Sequence, residues 1–312
     1  MAKGDSEKVS VEVDGRALQL SNLHKVLYPQ TGFTKGAVIE YYSRIAPVLL
    51  PHLVNRALTI KRYPNGVDEK FFFEKNAARG TPEWVRTVTL PVPGSTMNRE
   101  TIDFVVVEEL ATLVWLANLA ALELHVPQWN VPPRARKPRT DLLVFDLDPG
   151  APATITECCE VALLVRDLLA DDGVTLFAKT SGSKGMQVSA PIEVDDPELP
   201  SRYAHVVAMR LEAAHPKLVV SRMTKSLRTG KVFVDWSQNN AAKTTVAPYS
   251  LRARDEPTVS TPLTWDEVEA GGSPRFTSDE VLARVDKSGD LFAGTLEDGL
   301  RARLTPGMAT GE

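Results

Sequence analysis

The stretch LLVFDLDPG, residues 142–150, ends an apolar run with two aspartates and a Pro-Gly pair. The apolar residues predict a buried strand, and the Pro-Gly pair predicts that the strand ends in a loop. Because residues two apart on a strand point to one face, Asp146 and Asp148 are expected to project side by side. Two carboxylates held this close repel each other unless a cation lies between them, and Mg²⁺ and Mn²⁺ prefer such oxygen ligands. The pair therefore predicts a site for divalent cations.

An Asp-x-Asp pair by itself also occurs in turns, on surfaces and in several classes of enzyme. Phosphohydrolases of the haloacid dehalogenase type carry Thr or Val two positions after the second aspartate, where this chain has Gly150. Sugar transferases use the pair as well, but they predict no phosphate-binding loop of the kind that follows here. The sequence disfavours both classes.

The second loop is TSGSKG, residues 180–185, which follows the predicted strand VTLFAK. Its glycines let backbone N–H groups approach a phosphate, its serines donate hydrogen bonds and its lysine supplies charge. The spacing is too short for a Walker loop. A flexible turn has the same composition, but the position after the aspartate pair favours a triphosphate site. The residues expected to contact the triphosphate are Ser181, Gly182, Ser183 and Lys184.

A third acidic residue lies in the segment KVFVDWSQN, residues 231–239. Asp235 comes late in an alternating pattern that predicts a strand. A carboxylate in this place is a metal ligand, a base that bridges metals, or a structural acid paired with Arg228. The residues alone leave these three interpretations open.

The composition is that of a soluble globular protein, with 43% hydrophobic and 24% charged residues. The sequence has no run of about 18 apolar residues that would span a membrane. The polar N-terminus lacks the apolar segment of a signal peptide. We therefore expect a cytoplasmic protein, in which the adjacent Cys158 and Cys159 stay reduced and pack in a helix.

Charge is distributed unevenly along the chain. Residues 255–312 hold 12 acidic and 5 basic residues, a net charge of −7, and removing it from the whole-chain charge of −4 leaves residues 1–254 at +3. The basic residues of two acid-free clusters are Arg134, Arg136, Lys137 and Arg139, and Arg222, Lys225, Arg228 and Lys231. Local fields of this kind steer a polyanion, although either cluster alone is also consistent with ordinary surface charge.

Mixed strands and helices with long connections predict an α+β fold rather than regular βαβ winding. The predicted helices are Thr34–Leu50, Glu108–Leu124, Ile155–Ala170, Ser201–Ala214, Trp265–Glu269 and Ser278–Val285. We expect a catalytic core over residues 1–256, with the metal and triphosphate site in residues 140–256. Residues 257–312 are expected to form an acidic, peripheral C-terminal segment.

The segments FDLDPG, SGSKG, KSLRTGKVFVDWSQN and APYSLR, in this order, resemble the polymerase domain of the bacterial end-joining DNA ligase D. That domain belongs to the archaeo-eukaryotic primase superfamily. The resemblance runs from SNLHKVLYP, residues 21–29, to about residue 290. It implies a primase-like α+β fold with a central mixed or antiparallel sheet flanked by helices.

The resemblance also implies a role for individual residues. The implied catalytic, metal-binding triad is Asp146, Asp148 and Asp235. The implied nucleotide-binding residues are His125, Ser181, Gly182, Ser183, Lys184, Gln187, Arg228 and Arg252. Lys25 and Lys35 match a pair that binds a downstream 5′-phosphate, and Phe72 and Phe73 match aromatics that stack on template bases. Without the resemblance, Lys25 and Lys35 are ordinary surface lysines, Phe71–Phe73 are core residues and His125 is a buried histidine at the end of an apolar helix.

Two departures from the family pattern matter. Many members carry His where this chain has Gln187, and Gln donates a hydrogen bond but carries no charge. The chain has no Lys-x-Asp-Gly segment, so the adenylating lysine of a ligase is absent. We therefore expect either an excised polymerase domain or a stand-alone relative.

The function implied by the resemblance is template-directed addition of one or a few nucleotides, preferably ribonucleotides, to 3′-hydroxyls at breaks or short gaps. The implied cofactors are two divalent ions, Mn²⁺ or Mg²⁺, with NTP or dNTP as substrate. The implied partners are gapped or broken DNA with a 5′-phosphate, a DNA ligase and an end-binding protein such as Ku, in the cytoplasm at the nucleoid. Two alternatives remain: a module that binds and bridges 5′-phosphorylated DNA ends, and a primase that needs no primer.

Overall fold

A computed structural model describes residues 8–92, 99–135, 137–272 and 275–310; Arg136 of the first basic cluster lies outside them. The helices are α1 (Lys35–Leu53), α2 (Leu110–Asn118), α3 (Ile155–Ala170), α4 (Leu199–Ala214), α5 (Trp265–Glu269) and α6 (Ser278–Ser288). The strands before residue 141 are β1 (Lys8–Val13), β2 (Arg16–Ser21), β3 (Val26–Tyr28), β4 (Phe33–Thr34), β5 (Thr59–Arg62), β6 (Phe72–Glu74), β7 (Thr87–Pro91), β8 (Thr101–Val105), β9 (Ala121–Val126), β10 (Trp129–Asn130) and β11 (Arg139–Thr140). The later strands are β12 (Leu142–Pro149), β13 (Phe177–Thr180), β14 (Met186–Glu193), β15 (Val219–Val220), β16 (Val232–Asp235), β17 (Thr245–Val246), β18 (Leu251–Ala253), β19 (Pro257–Val259), β20 (Pro262–Leu263) and β21 (Ala302–Arg303).

The larger sheet has the strand order β15-β16-β12-β14-β13-β20, with β21 beside β14. It is mixed, because β15 runs parallel to β16 and β21 parallel to β14, whereas the other pairs are antiparallel. Leu143, Phe145 and Leu147 of the central strand are fully buried against α3 and α4. Burial of each such side chain contributes about 1.5–3 kcal/mol. The alternating residues of β12 point to the opposite face, which carries the aspartates.

The smaller sheet has the order β17-β9-β5-β6, and all its pairs are antiparallel. Ile60 and Leu124 belong to a second hydrophobic core, which also contains the buried sides of α1 and α2. The helix α1 begins after Thr34, whose hydroxyl accepts a hydrogen bond from the backbone N–H of Ala37 at 3.2 Å. This cap satisfies an N–H group that has no partner within the helix.

Most of the predicted elements are confirmed. The helices predicted at 34–50, 155–170 and 201–214 are α1, α3 and α4, and the predicted α+β class with a mixed central sheet flanked by helices is confirmed. The prediction of one helix over Glu108–Leu124 is wrong, because α2 ends at Asn118 and β9 begins at Ala121. Ala120, between them, has a φ of 59° and therefore cannot continue a right-handed helix. Strand β9 is buried on both faces, so it lacks the alternation that would predict a strand.

The acidic segment from residue 257 supplies strands and core residues to the rest of the chain. Strand β20 pairs with β13 at the edge of the larger sheet, and β21 pairs with β14. Val259 and Val281 lie in the core beneath α1, whereas Leu263 and Leu304 lie in the core beneath α3. The boundary predicted after residue 256 stays a prediction. None of the helices in the described ranges is long and apolar enough to cross a membrane.

Candidate active site

Strand pairing brings the three predicted metal ligands together. Asp146 on β12 lies directly opposite Asp235 on β16. Directly opposite residues share a face of the sheet, and Asp148, two residues along β12, shares it too. The three carboxylates therefore occupy one face at one end of the central strands.

Burial and neighbouring carboxylates raise the pKa of Asp146 and of Asp148. Burial, and then the charges of Asp148 and Asp235, raise the pKa of Asp146 to about 7. Burial and the Asp235 charge also raise the pKa of Asp148, which Arg228 lowers. Crowded carboxylates whose ionised forms are disfavoured are the donor set that divalent cations stabilise. The triad therefore fits a divalent metal by charge and register, although the described ranges contain no group of three His, Cys, Asp or Glu side chains already arranged around a common point.

Asp235 and Asp146 are each held by neutral donors. Oδ1 of Asp235 accepts hydrogen bonds from the backbone N–H and the hydroxyl of Ser237, at 3.0 and 2.6 Å, and Oδ2 accepts from Nε2 of Gln238 at 2.8 Å. The side chain of Gln187, on the other side of Asp146, donates from Nε2 to Oδ1 of Asp146 at 3.0 Å. These bonds fix the carboxylates in place without supplying a positive charge of their own.

Arg228 lies beside this triad. The structural interpretation paired it with Asp235, but its guanidinium contacts Phe233 and Met223. Its guanidinium lies 3.7 Å from the ring centroid of Phe233, and Nη2 donates to the carbonyl oxygen of Met223 at 2.7 Å. Its Nε is buried and makes no hydrogen bond. The motif DPG ends in a glycine because a Cβ at position 150 would lie 1.9 Å from the carbonyl oxygen of Arg228. The segment that carries Arg228 therefore packs directly on the loop after β12.

The predicted phosphate loop adjoins the end of β12. A Cβ on Gly185 would lie 2.1 Å from the carbonyl oxygen of Leu147, so only glycine allows this close approach. The N–H of Ser181 donates to the carbonyl of Gly185 at 2.9 Å and closes the loop. Ser183 is buried within the loop and Lys184 is exposed at its tip. The loop therefore carries an exposed lysine next to the residue that lies against the end of β12.

Several residues outside the loop hold it in position, among them Arg252 and Thr258. Nη1 of Arg252 donates to the carbonyl oxygen of Ser181 at 2.7 Å. The hydroxyl of Thr258, in the acidic C-terminal segment, donates to the carbonyl oxygen of Gly182 at 2.8 Å. The predicted phosphate loop is thus fixed partly by residues that follow the predicted core in sequence.

Glu123, on β9 of the smaller sheet, contacts two of the expected nucleotide-binding residues. Its side chain is 2% exposed, and Oε2 accepts from Nε2 of His125 at 2.9 Å and lies 3.3 Å from Nζ of Lys61. Nε of Arg252 lies 3.5 Å from Oε1 of Glu123. Burial raises the pKa of Glu123. The hydrogen bond from His125 and the charges of Arg252 and Lys61 lower this pKa by more, so that it lies well below its ordinary value. Burial lowers the pKa of His125.

Sequence reasoning missed Glu123 and Lys61 because it placed His125 on a helix. On strand β9, Glu123 and His125 are two residues apart and share a face, and Lys61 lies directly opposite Glu123 on β5. The segment ELHV, residues 123–126, contains both Glu123 and His125, but their side chains are neighbours only because the segment is a strand. Arg252 then connects this face of the smaller sheet to the phosphate loop of the larger one.

The two lysines expected to bind a 5′-phosphate differ in their exposure to solvent. They are adjacent, since the backbone N–H of Lys35 donates to the carbonyl of Lys25 at 2.8 Å. Lys25 is exposed, and its Nζ donates to Asn65 at 2.9 Å. Lys35 is 5% exposed, and its Nζ donates to the carbonyl of Asn118 at 2.9 Å. Burial and the Lys25 charge lower the pKa of Lys35 to about 8.

The three successive phenylalanines are not core residues. Phe71, Phe72 and Phe73 are 47%, 47% and 54% exposed, so the interpretation of these three residues as core is wrong. The ring centroids of Phe73 and His125 lie 6.0 Å apart, which places exposed aromatic surface next to the polar face of the smaller sheet. Nζ of Lys61 lies 4.6 Å from the ring centroid of Phe71.

Comparison with known proteins identifies the family. The family described as "LigD, primase-polymerase domain" matches residues 34–292. This chain belongs to that family. The resemblance predicted from the sequence motifs is therefore confirmed, and the LigD primase-polymerase domain is in general a nucleotidyltransferase.

Relatives of this LigD primase-polymerase domain are longer proteins. The multifunctional non-homologous end joining protein LigD of Mycolicibacterium smegmatis is 48% identical over 277 residues, which cover 88% of this chain and 36% of that protein. The bifunctional non-homologous end joining protein LigD of Bacillus subtilis is 33% identical over 278 residues, or 88% of this chain and 43% of that protein. The chain thus spans less than half of either relative.

A solved structure gives the same fold. The polymerase domain of Mycobacterium tuberculosis ligase D, in complex with DNA, matches with a TM-score of 0.84 and 45% identity. The match covers 90% of this chain and 98% of that one. The primase-like fold predicted from the sequence is therefore confirmed for the LigD primase-polymerase domain described here.

Proposed function

We propose that this domain is a template-directed nucleotidyltransferase that adds one or a few nucleotides to a DNA 3′-hydroxyl at breaks or short gaps. The observation that carries the proposal is the placement of three carboxylates on one face of the larger sheet, next to the Gly185 end of a phosphate loop. Acyl transfer or redox chemistry gains nothing from three clustered acids, whereas nucleotidyl transfer requires cations at the attacking and leaving oxygens.

Asp146, Asp148 and Asp235 are the residues that would hold two divalent ions, Mn²⁺ or Mg²⁺. When bound, these ions activate the 3′-hydroxyl and neutralise the charge on the triphosphate. The carboxylates of the triad orient the site, and hydrogen bonds from Ser237 and Gln187 hold two of them. Positioning and charge supply most of the rate in phosphoryl transfer.

The nucleotide is proposed to lie between the phosphate loop and the polar face of the smaller sheet. Lys184 and the N–H groups of Ser181–Ser183 would bind the triphosphate, and Arg228 would neutralise it further. His125 would contact the nucleotide. Arg252 supports this arrangement because it contacts both Glu123 and Ser181.

The DNA is proposed to lie along the surface next to the two lysines and the exposed phenylalanines. Lys25 and Lys35 would bind the 5′-phosphate downstream of a gap, and Phe72 and Phe73 would stack on template bases, a contact that tolerates any sequence. By analogy with the named relatives, we propose a role in non-homologous end joining, at the nucleoid in the cytoplasm, with ribonucleotides preferred. A ligase and an end-binding protein such as Ku are the proposed partners.

The test is extension of a labelled gapped duplex with and without a 5′-phosphate, with NTPs or dNTPs, in Mg²⁺ or Mn²⁺. We expect single-nucleotide products that increase when the 5′-phosphate is present, and no product from Asp146→Ala or Asp235→Ala. Extension at the wild-type rate by either variant would refute the metal-site assignment. Tight binding of the ends without any product would favour the end-bridging alternative, and synthesis without a primer would favour the primase.

A further inference from the structure

A single row of residues across the larger sheet connects a buried lysine to the aspartate triad. Lys179 on β13 lies opposite Gln187 on β14, and Gln187 lies opposite Asp146 on β12. Nζ of Lys179 donates to Oε1 of Gln187 at 2.5 Å, and Nε2 of the same amide donates to Asp146. The glutamine therefore has its oxygen toward the lysine and its nitrogen toward the aspartate.

Lys179 is buried and has three hydrogen-bond acceptors around its ammonium group. It is 3% exposed, and besides Gln187 its Nζ donates to the carbonyl of Val246 at 3.0 Å and to the hydroxyl of Ser260 at 2.8 Å. Three acceptors match the three N–H groups of an ammonium. Burial lowers the pKa of Lys179 to about 7, while the charge of Asp146 raises it. Burying a cation is costly, so an apolar residue would suit this position better if only stability mattered.

The chemistry of the two side chains explains why a lysine is useful here. The oxygen and nitrogen of a glutamine amide have nearly the same shape, so its neighbours decide which way it points. A protonated lysine has donors and no acceptor, so it contacts the amide only through the oxygen. In the reversed orientation the amide oxygen of Gln187 would face the carboxylate of Asp146 and repel it. Lys179 thus enforces the orientation in which Gln187 donates.

We propose that Lys179 and Gln187 are positioning residues for Asp146: the lysine sets the orientation of the glutamine amide, and the amide sets the orientation in which Asp146 binds a divalent cation. The inference rests on the proposed function, because it takes Asp146 to be a metal ligand. It gives Gln187 a role toward the aspartate instead of the triphosphate. Replacing groups that hold a metal ligand in place typically weakens metal binding by about 10- to 100-fold.

The experiment measures Mn²⁺ binding directly, by electron paramagnetic resonance of the free ion, without DNA or nucleotide. The variants are Lys179→Met and Gln187→Leu, which remove the hydrogen bonds and keep the volume. We expect each to weaken Mn²⁺ binding by about 10- to 100-fold. The exposed Lys217→Met serves as the matched control and should bind like the wild type. Circular dichroism verifies that each variant is folded. Gln187→Asn replaces any variant that is not, since its shorter amide cannot reach both Lys179 and Asp146.

The double variant Lys179→Met/Gln187→Leu tests whether the lysine acts through the glutamine. If it does, the double variant binds Mn²⁺ no more weakly than Gln187→Leu alone. Unchanged binding in a folded single variant, or costs that add in the double variant, would overturn the positioning role. Asp146→Asn distinguishes a failure of the positioning role from a failure of the proposed metal site, because full Mn²⁺ binding by that variant would refute the metal site itself.

Discussion

The carboxylate of Glu123 lies between the imidazole of His125 and the guanidinium of Arg252, with 2.9 Å from Oε2 to Nε2 of His125 and 3.5 Å from Oε1 to Nε of Arg252. An ionised carboxylate only accepts, so Nε2 of His125 carries the hydrogen in this pair. One buried acid thereby sets the positions of two side chains expected to contact the nucleotide.

Glu123→Gln should both destabilise the protein and weaken nucleotide binding. It leaves Lys61 and Arg252 without their buried counter-charge, and loss of one partner of a buried ion pair costs about 3–5 kcal/mol. We expect a loss toward the lower end of that range, since glutamine still accepts a hydrogen bond, together with a higher KM for the nucleotide. Urea denaturation and steady-state extension measure the two effects. Glu74→Gln, which breaks the more exposed pair with Arg62, is the control and should cost under about 1 kcal/mol.

Asp146→Asn should raise the melting temperature of the metal-free protein and remove its response to Mn²⁺. The wild-type carboxylate is buried beside Asp148 and Asp235, which raises its pKa and makes its ionised form unfavourable. A neutral amide relieves that repulsion but no longer balances a cation. Thermal melts with and without Mn²⁺ report both changes. A variant that Mn²⁺ still stabilises as much as the wild type would contradict the prediction.

Binding of a 5′-phosphorylated end should weaken as the pH rises through about 8. Lys35 has a folded-state pKa of about 8, below its ordinary 10.5, so its charge is present below that pH and is lost above it. Fluorescence anisotropy with duplexes that carry or lack the 5′-phosphate, measured between pH 7 and pH 9, isolates the phosphate contribution. In Lys35→Met the contribution should be smaller and should lose this pH dependence. A pH dependence that survives in the variant would assign it to another group.

Gly185→Ala should displace the phosphate loop from the end of β12. The added Cβ would meet the backbone oxygen of Leu147 at 2.1 Å, and backbone cannot yield as a flexible side chain does. We expect a loss of stability of about 1–3 kcal/mol, the usual cost of overpacking, and a higher KM for the triphosphate. Gly299→Ala has nothing within 4 Å of the new Cβ and should behave like the wild type in both assays.

Phe73→Ala should impair extension without affecting stability. The ring is 54% exposed, so little packing is lost, whereas a stacked base contributes about 1–3 kcal/mol. Extension opposite an abasic template position provides the control, because the variant and the wild type should then differ little. An equal deficit on both templates would show that Phe73 does not stack on the template base.

The sequence predicted those parts of the site that are local in the chain. Asp146 and Asp148 are two residues apart on a strand with an apolar core face, and the loop at 180–185 has its own composition, so both could be recognised without any long-range contact. The Gln187 bond to Asp146 joins strands that meet only in the folded sheet. Glu123 was hidden for a different reason, since β9 is buried on both faces and looked like the continuation of α2.

The acidic C-terminal segment also covers one edge of the larger sheet. Strand β20 covers the open side of β13, and at two residues long, with Pro262 opposite Lys179, it offers another strand little to pair with. Short edge strands with proline are a known defence against edge-to-edge association. A fragment that stops at residue 256 would leave the backbone groups of β13 open to pairing. We expect such a fragment to self-associate in light scattering where the full chain does not, because β20 would no longer cover this edge.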